Sequence, residues 1–158
     1  MKLWVIVCCC VLLSACVSTP RTSVSRPAAR TRLPADNDRA EVQRTMKKAA
    51  RALRDARLTD AEILYRQLTQ THPNLPEVWL RLGNVYMREA QLQAAVRTYT
   101  QGLRHDRNDG RLWYNLALAR LKQSVDTLET SSKVLPADSA YRPQIRALHS
   151  ALLEAGQS

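Results

Sequence analysis

Shifted against itself by 34 positions, the chain places Trp79 over Trp113, Leu82 over Leu116, Ala61 over Ala95 and Tyr65 over Tyr99. A fixed period of this order marks units that cannot bury their own apolar face and must stack on neighbours to close a core. Within one period, Trp79, Leu82 and Tyr86 fall at i, i+3 and i+7, one face of a helix. Ala95 and Tyr99, at i and i+4, form the facing stripe of a second helix. Gly83 permits close approach between the two, at about 1 kcal/mol in helix propensity relative to alanine. Breaker clusters, His72-Pro73-Asn74 and Arg107-Asn108-Asp109-Gly110, separate the units. The pattern predicts an all-α fold with two helices per unit.

Trp79, Leu82, Gly83 and Tyr86 resemble the W-x2-L-G-x2-Y signature of tetratricopeptide repeats, and Ala95 and Tyr99 stand where that family has its small and aromatic contacts. The resemblance implies about three helical hairpins in a short right-handed superhelix. Their units are 42–75, 76–109 and a degenerate 110–136, followed by a capping helix over 139–155 that is alternatively a partner-binding helix. In the third unit Arg120 takes the place of Tyr86, and Pro136 arrives early. Trp79 is expected to be the large buried side chain at the centre of the middle repeat.

Ahead of the repeats, Met1 and Lys2 precede an 11-residue apolar run, Leu3–Leu13, then Ser14, Ala15 and Cys16. This is the order of a secretory signal peptide over 1–15. A spanning helix would need about 20 residues. Leu13-Ser14-Ala15-Cys16 resembles the lipobox of bacterial lipoproteins, which implies N-acyl (palmitate-type) and S-diacylglycerol groups on Cys16 and no other cofactor. Val17 rather than aspartate follows, which by the same resemblance implies the periplasmic face of the outer membrane. Cys8, Cys9 and Cys10 lie within the apolar run, so no disulfide or cysteine metal site is expected in the mature chain. Residues 16–38, with Pro20, Pro27, Pro34 and four arginines, read as a disordered basic tether reaching about 25 Å.

The formal charge of +10 would raise nucleic acid as a partner in a cytosolic protein, but an export signal removes that expectation. His72, His105 and His149 have no metal-ligand spacing and read as surface residues. Neither a G-x-S-x-G elbow nor a glycine-rich phosphate loop occurs, so a non-enzyme without a small-molecule substrate or metal is expected. In the repeat family the working surface is the concave face. Carried to matching positions, the resemblance implies a groove of Met46, Leu53 and Arg54; of Leu80, Asn84, Met87 and Arg88; and of Arg111, Tyr114, Leu118, Leu121 and Lys122. The paired Lys and Asn positions of carboxylate-clamp members are absent, with Met46, Ala50, Tyr114 and Leu118 in key places. The expected partners are envelope proteins, such as a secretin, pilus or secretion component, bound by a scaffold or assembly lipoprotein. The alternative is an adaptor that recruits peptidoglycan-processing enzymes.

Overall fold

The computed structural model describes residues 34–156. Cys16, the expected signal segment 1–15 and most of the expected tether 16–38 lie outside the described residues. Among the described residues six helices follow one another: α1 (Pro34–Arg54), α2 (Leu58–Thr71), α3 (Pro76–Arg88), α4 (Leu92–His105), α5 (Gly110–Val134) and α6 (Arg142–Ala155). Each packs on the next, and α3 also touches α5, so the hairpins α1/α2 and α3/α4 stack with α5/α6 behind them. The fold is all-helical, as the period predicts.

The expected tether over 16–38 overlaps the first helix, because α1 already begins at Pro34. Proline suits a first helical position, where its missing N–H would be unsatisfied anyway. Asp36 in the first turn favours the positive end of the helix dipole. Asp38 accepts a hydrogen bond from His72 Nε2 at 3.1 Å, joining the start of α1 to the end of α2.

The turns inside the first two hairpins are the same object. Ala56 (φ 57°) and Ala90 (φ 55°), 34 positions apart, both sit in the left-handed region. Arg57 N–H donates to Ala52 O and Gln91 N–H to Tyr86 O, each at 2.9 Å, which closes the preceding helix. The matching position in the third unit is Ser124, and there the chain does not turn: α5 runs on for 25 residues. Asp126, Glu129 and Lys133 stand where Leu58/Leu92, Ala61/Ala95 and Tyr65/Tyr99 stand in the earlier units. With no apolar second-helix face to bury, nothing repays a turn at that point. The expected unit 110–136 is therefore one long helix rather than a hairpin, and the helix that folds back on it is α6, which starts at Arg142 rather than 139.

The core runs along the inner faces of α1 to α5. Tyr65, Tyr99, Leu112, Val78 and Val85 are its largest fully buried side chains. Gly83 lies directly under the ring of Tyr99: a Cβ at this position would stand 2.2 Å from Tyr99 Cε1. The Tyr99 hydroxyl donates to Asn84 Oδ1 at 2.8 Å, which fixes the ring in place. Trp79 differs from expectation. It is only half-buried, stacked on His105 with ring centroids 6.0 Å apart, and its indole N–H donates to Pro73 O at 2.7 Å. Trp113 repeats that bond to Arg107 O at 2.8 Å. The tryptophans clamp the loops between units, while Tyr99 on Gly83 holds the centre of the middle repeat.

Candidate partner-binding groove

The first helices of successive units, α1, α3 and α5, present the positions expected to form a groove, and the structure divides them by use. Leu80, expected to line the groove, is 5% exposed and belongs to the core cluster. Its helix touches α2, α4 and α5, and this position is covered. Met46 and Leu53 are half-buried and pack against the same cluster. Asn84 spends its side-chain carbonyl on Tyr99. These four residues serve the core and its hydrogen bonds rather than an open surface.

Two expected rim arginines are likewise engaged within the fold. Arg88 donates to Leu53 O at 3.0 Å, capping one of the free carbonyls at the end of α1. Arg111 bridges units: its guanidinium meets Glu77 Oε2 at 2.7 Å, exactly one period away, and Asp109 Oδ2 at 2.8 Å. Asp109 is the N-cap of α5, accepting from Arg111 N–H at 2.9 Å. The Arg111 guanidinium holds the Asp109 carboxyl below its ordinary pKa. Glu77 also accepts from Arg81 Nε at 2.7 Å, so the start of α3 and the start of α5 share one charge cluster. Arg54 remains exposed.

What is left forms an open apolar cavity of about 420 Å³. Met87 from α3, and Leu118, Leu121 and Lys122 from α5, meet there with Leu92, Val125 and Asp126. The far wall is Leu152 and Leu153 of α6 with Gly156, its C-cap. Tyr114 lies one turn before Leu118 on the same face of α5 and is 69% exposed, so it extends the groove past the cavity. The four expected residues that converge are thus Met87, Leu118, Leu121 and Lys122, with Tyr114 beside them.

The α6 wall was not foreseen as part of the groove, although its signal was visible: Ile145, Leu148 and Leu152 repeat at helical spacing. No residue of α6 is buried. Leu148 is 52% and Leu153 43% exposed. A helix packed on one side only, against α5, both caps the stack and borders the groove. The three histidines hold structural positions. His72 pairs with Asp38, His105 stacks on Trp79, and His149 Nε2 lies 3.6 Å from Glu129. Among the described residues no group of three or more His, Cys, Asp or Glu side chains is placed to hold a metal.

Comparison with known proteins agrees with this architecture. Residues 52–121 match the family model "Tetratricopeptide repeat". The human and mouse proteins named "Protein O-mannosyl-transferase TMTC3" are each 31% identical over 68 residues, which is 43% of this chain and 7% of each relative. The chain thus spans a small fraction of those proteins. The matched residues hold α2, α3, α4 and the first half of α5, and the all-helical stack of hairpins is the fold that such repeats build.

Proposed function

We propose that this chain is a lipid-anchored scaffold lipoprotein of the outer membrane, facing the periplasm, that binds a segment of an envelope-machine protein in the groove between α3, α5 and α6. Tetratricopeptide repeats point to protein partners in general. The observation that carries the reading is the convergence of Met87, Leu118 and Leu121 with Leu152 and Leu153 on one open apolar cavity, edged by Lys122 and Asp126. Such a slot takes the i, i+3, i+4 anchors of an amphipathic helix. Methionine and leucine adapt to varied side chains, and the exposed Tyr114 supplies a rigid aromatic contact of the kind enriched in binding hot spots.

The anchor and the groove are separate parts of the reading and have separate tests. Cys16→Ser should abolish fatty-acid labelling of the protein in cells; unchanged labelling would remove the lipid anchor. For the groove, a photo-crosslinker at position 122 should capture a pilus or secretion component. Tyr114→Ala should lower that capture by on the order of tenfold or more while leaving the melting temperature unchanged, because Tyr114 buries little. Equal capture with and without the substitution shows that the groove is not the working surface. Capture of a peptidoglycan hydrolase in place of a machine component supports the adaptor alternative.

A further inference from the structure

α1 is the first helix of the stack and packs on α2 alone among the helices with which it shares extensive contact. Its buried side is Val42, Ala49 and Ala52, with Met46 and Leu53 half-buried beside them. Arg44, Lys47, Lys48 and Arg51 fall at i, i+3, i+4 and i+7, a single face. At about 100° per residue that face lies roughly opposite Val42 and Ala49. All four are exposed. None of the ion pairs among the described residues engages them, whereas Arg57, Arg66, Arg81 and Arg111 are all paired with acids. From Val42 to Arg54 the helix carries no acid.

We propose that this outward face of α1 is a docking surface for a phospholipid bilayer with anionic headgroups. Four cations over about two turns, on a convex rod, match the spacing of phosphates on a flat charged surface better than a pocket for one anion. Long Lys and Arg side chains can spread over such a surface with their charged tips in the headgroup layer. No helix among the described residues is long and apolar enough to cross a membrane, so the contact is peripheral and electrostatic. The sequence immediately before α1 has the same sign: Arg21, Arg26, Arg30 and Arg32 occur with no acid between Cys16 and Asp36, and the apolar run Leu3–Leu13 lies upstream of them. A nucleic acid is less well matched, because Pro34–Arg54 contains no aromatic side chain on which a base could stack. The contact does not depend on acylation of Cys16 or on the groove. It would set the orientation of the stack at a membrane, with α1 toward the lipid and the α5/α6 end away from it.

The test uses the chain from residue 16 onward with Cys16→Ser, so that no acyl group contributes. The core cluster, from Val42 to Ala119, lies wholly within this piece. Its partition onto phosphatidylcholine vesicles containing about one third phosphatidylglycerol is compared with that onto phosphatidylcholine alone. Wild type should bind the anionic vesicles and be released by salt. Arg44→Gln, Lys47→Gln, Lys48→Gln and Arg51→Gln, combined, should lower the partition by on the order of several hundred-fold. Glutamine keeps helix propensity close to that of the cations, and unchanged thermal melting verifies that the variant is folded. The control removes the same charge elsewhere through Arg97→Gln, Arg107→Gln, Arg120→Gln and Lys133→Gln, and should retain most of the binding. Equal loss in the control, no preference for anionic vesicles, or stronger α1-dependent binding to duplex DNA would overturn the proposal.

Discussion

Replacing Gly83 with alanine should lower the melting temperature by about 10 °C or more, although alanine is the better helix former by about 1 kcal/mol. The added methyl would stand 2.2 Å from Tyr99 Cε1, 2.6 Å from Cδ1 and 2.7 Å from Cζ. Carbon atoms pack at about 3.5 to 4.0 Å, so the ring or the helix must move by more than an ångström. The ring cannot swing freely, because it is fully buried and its hydroxyl is tied to Asn84. Separating α3 from α4 instead would open the core of the middle hairpin, to which both flanking units are coupled. Overpacking of this kind typically costs about 1 to 3 kcal/mol, and a clash with a rigid ring belongs at the upper end. Adding Tyr99→Leu should cost less in the Gly83→Ala background than in wild type, since it removes the obstructing atoms. A Gly83→Ala protein that melts at or above the wild-type temperature would show that the two helices are not in this close contact.

Alkaline pH should unfold the domain from about pH 10 upward, with the Tyr99 contribution persisting to the highest pH. Burial raises the pKa of Tyr99 far above the ordinary phenol value, and it raises those of Tyr65 and Tyr86 in the same direction. Against the Tyr86 shift, the Arg66 hydrogen bond acts in the opposite sense, while its bond to Glu62 reinforces it. Because the folded-state values lie above the unfolded ones, the unfolded chain loses its phenol protons first. Stability is therefore intact below about pH 10 and falls as pH rises, by about 1.4 kcal/mol per pH unit for each such tyrosine. Tyr99→Phe keeps the ring, removes the proton and leaves Asn84 Oδ1 without its donor. It should be less stable than wild type at neutral pH by about 1 kcal/mol, yet lose less on raising the pH, so that the two stability curves meet near about pH 11. Denaturant melts of both proteins across pH 8 to about 12 read this directly. Parallel curves that never converge would mean that Tyr99 is not held neutral by the core.

Much of this molecule is legible from short-range pattern. Trp79, Leu82 and Tyr86 on one face, Ala95 and Tyr99 on the next, and the breakers at Pro73 and Asp109 specify two helices per period, because helical spacing and turn chemistry are local properties of the chain. The requirement for glycine under an aromatic ring was legible as a position that needs close approach. A degenerate third unit over 110–136 was expected and is instead one long helix; Asp126, Glu129 and Lys133, which cannot form a buried second-helix face, carry the signal that this expectation passed over. The start of α1 at Pro34 was also within reach, since proline followed by Asp36 and Asp38 is a helix beginning as well as the end of a proline-rich segment.

The groove required coordinates. Leu80, Met87 and Leu118 read alike as apolar first-helix residues along the chain, but Leu80 is buried in the core, whereas Met87 and Leu118 border open space. Arg88 and Arg111 look like free rim charges until Leu53 O and Glu77, 35 and 34 positions earlier, are found against them. The amphipathic character of α6 was evident by itself; that it returns along α5 to place Leu152 and Leu153 opposite Met87 was not. Helical spacing tells which side chains share a face, because that depends on neighbours a few residues away. Which faces are covered, and which charges are already paired, depends on how separate units approach in space, and only the tertiary structure decides that.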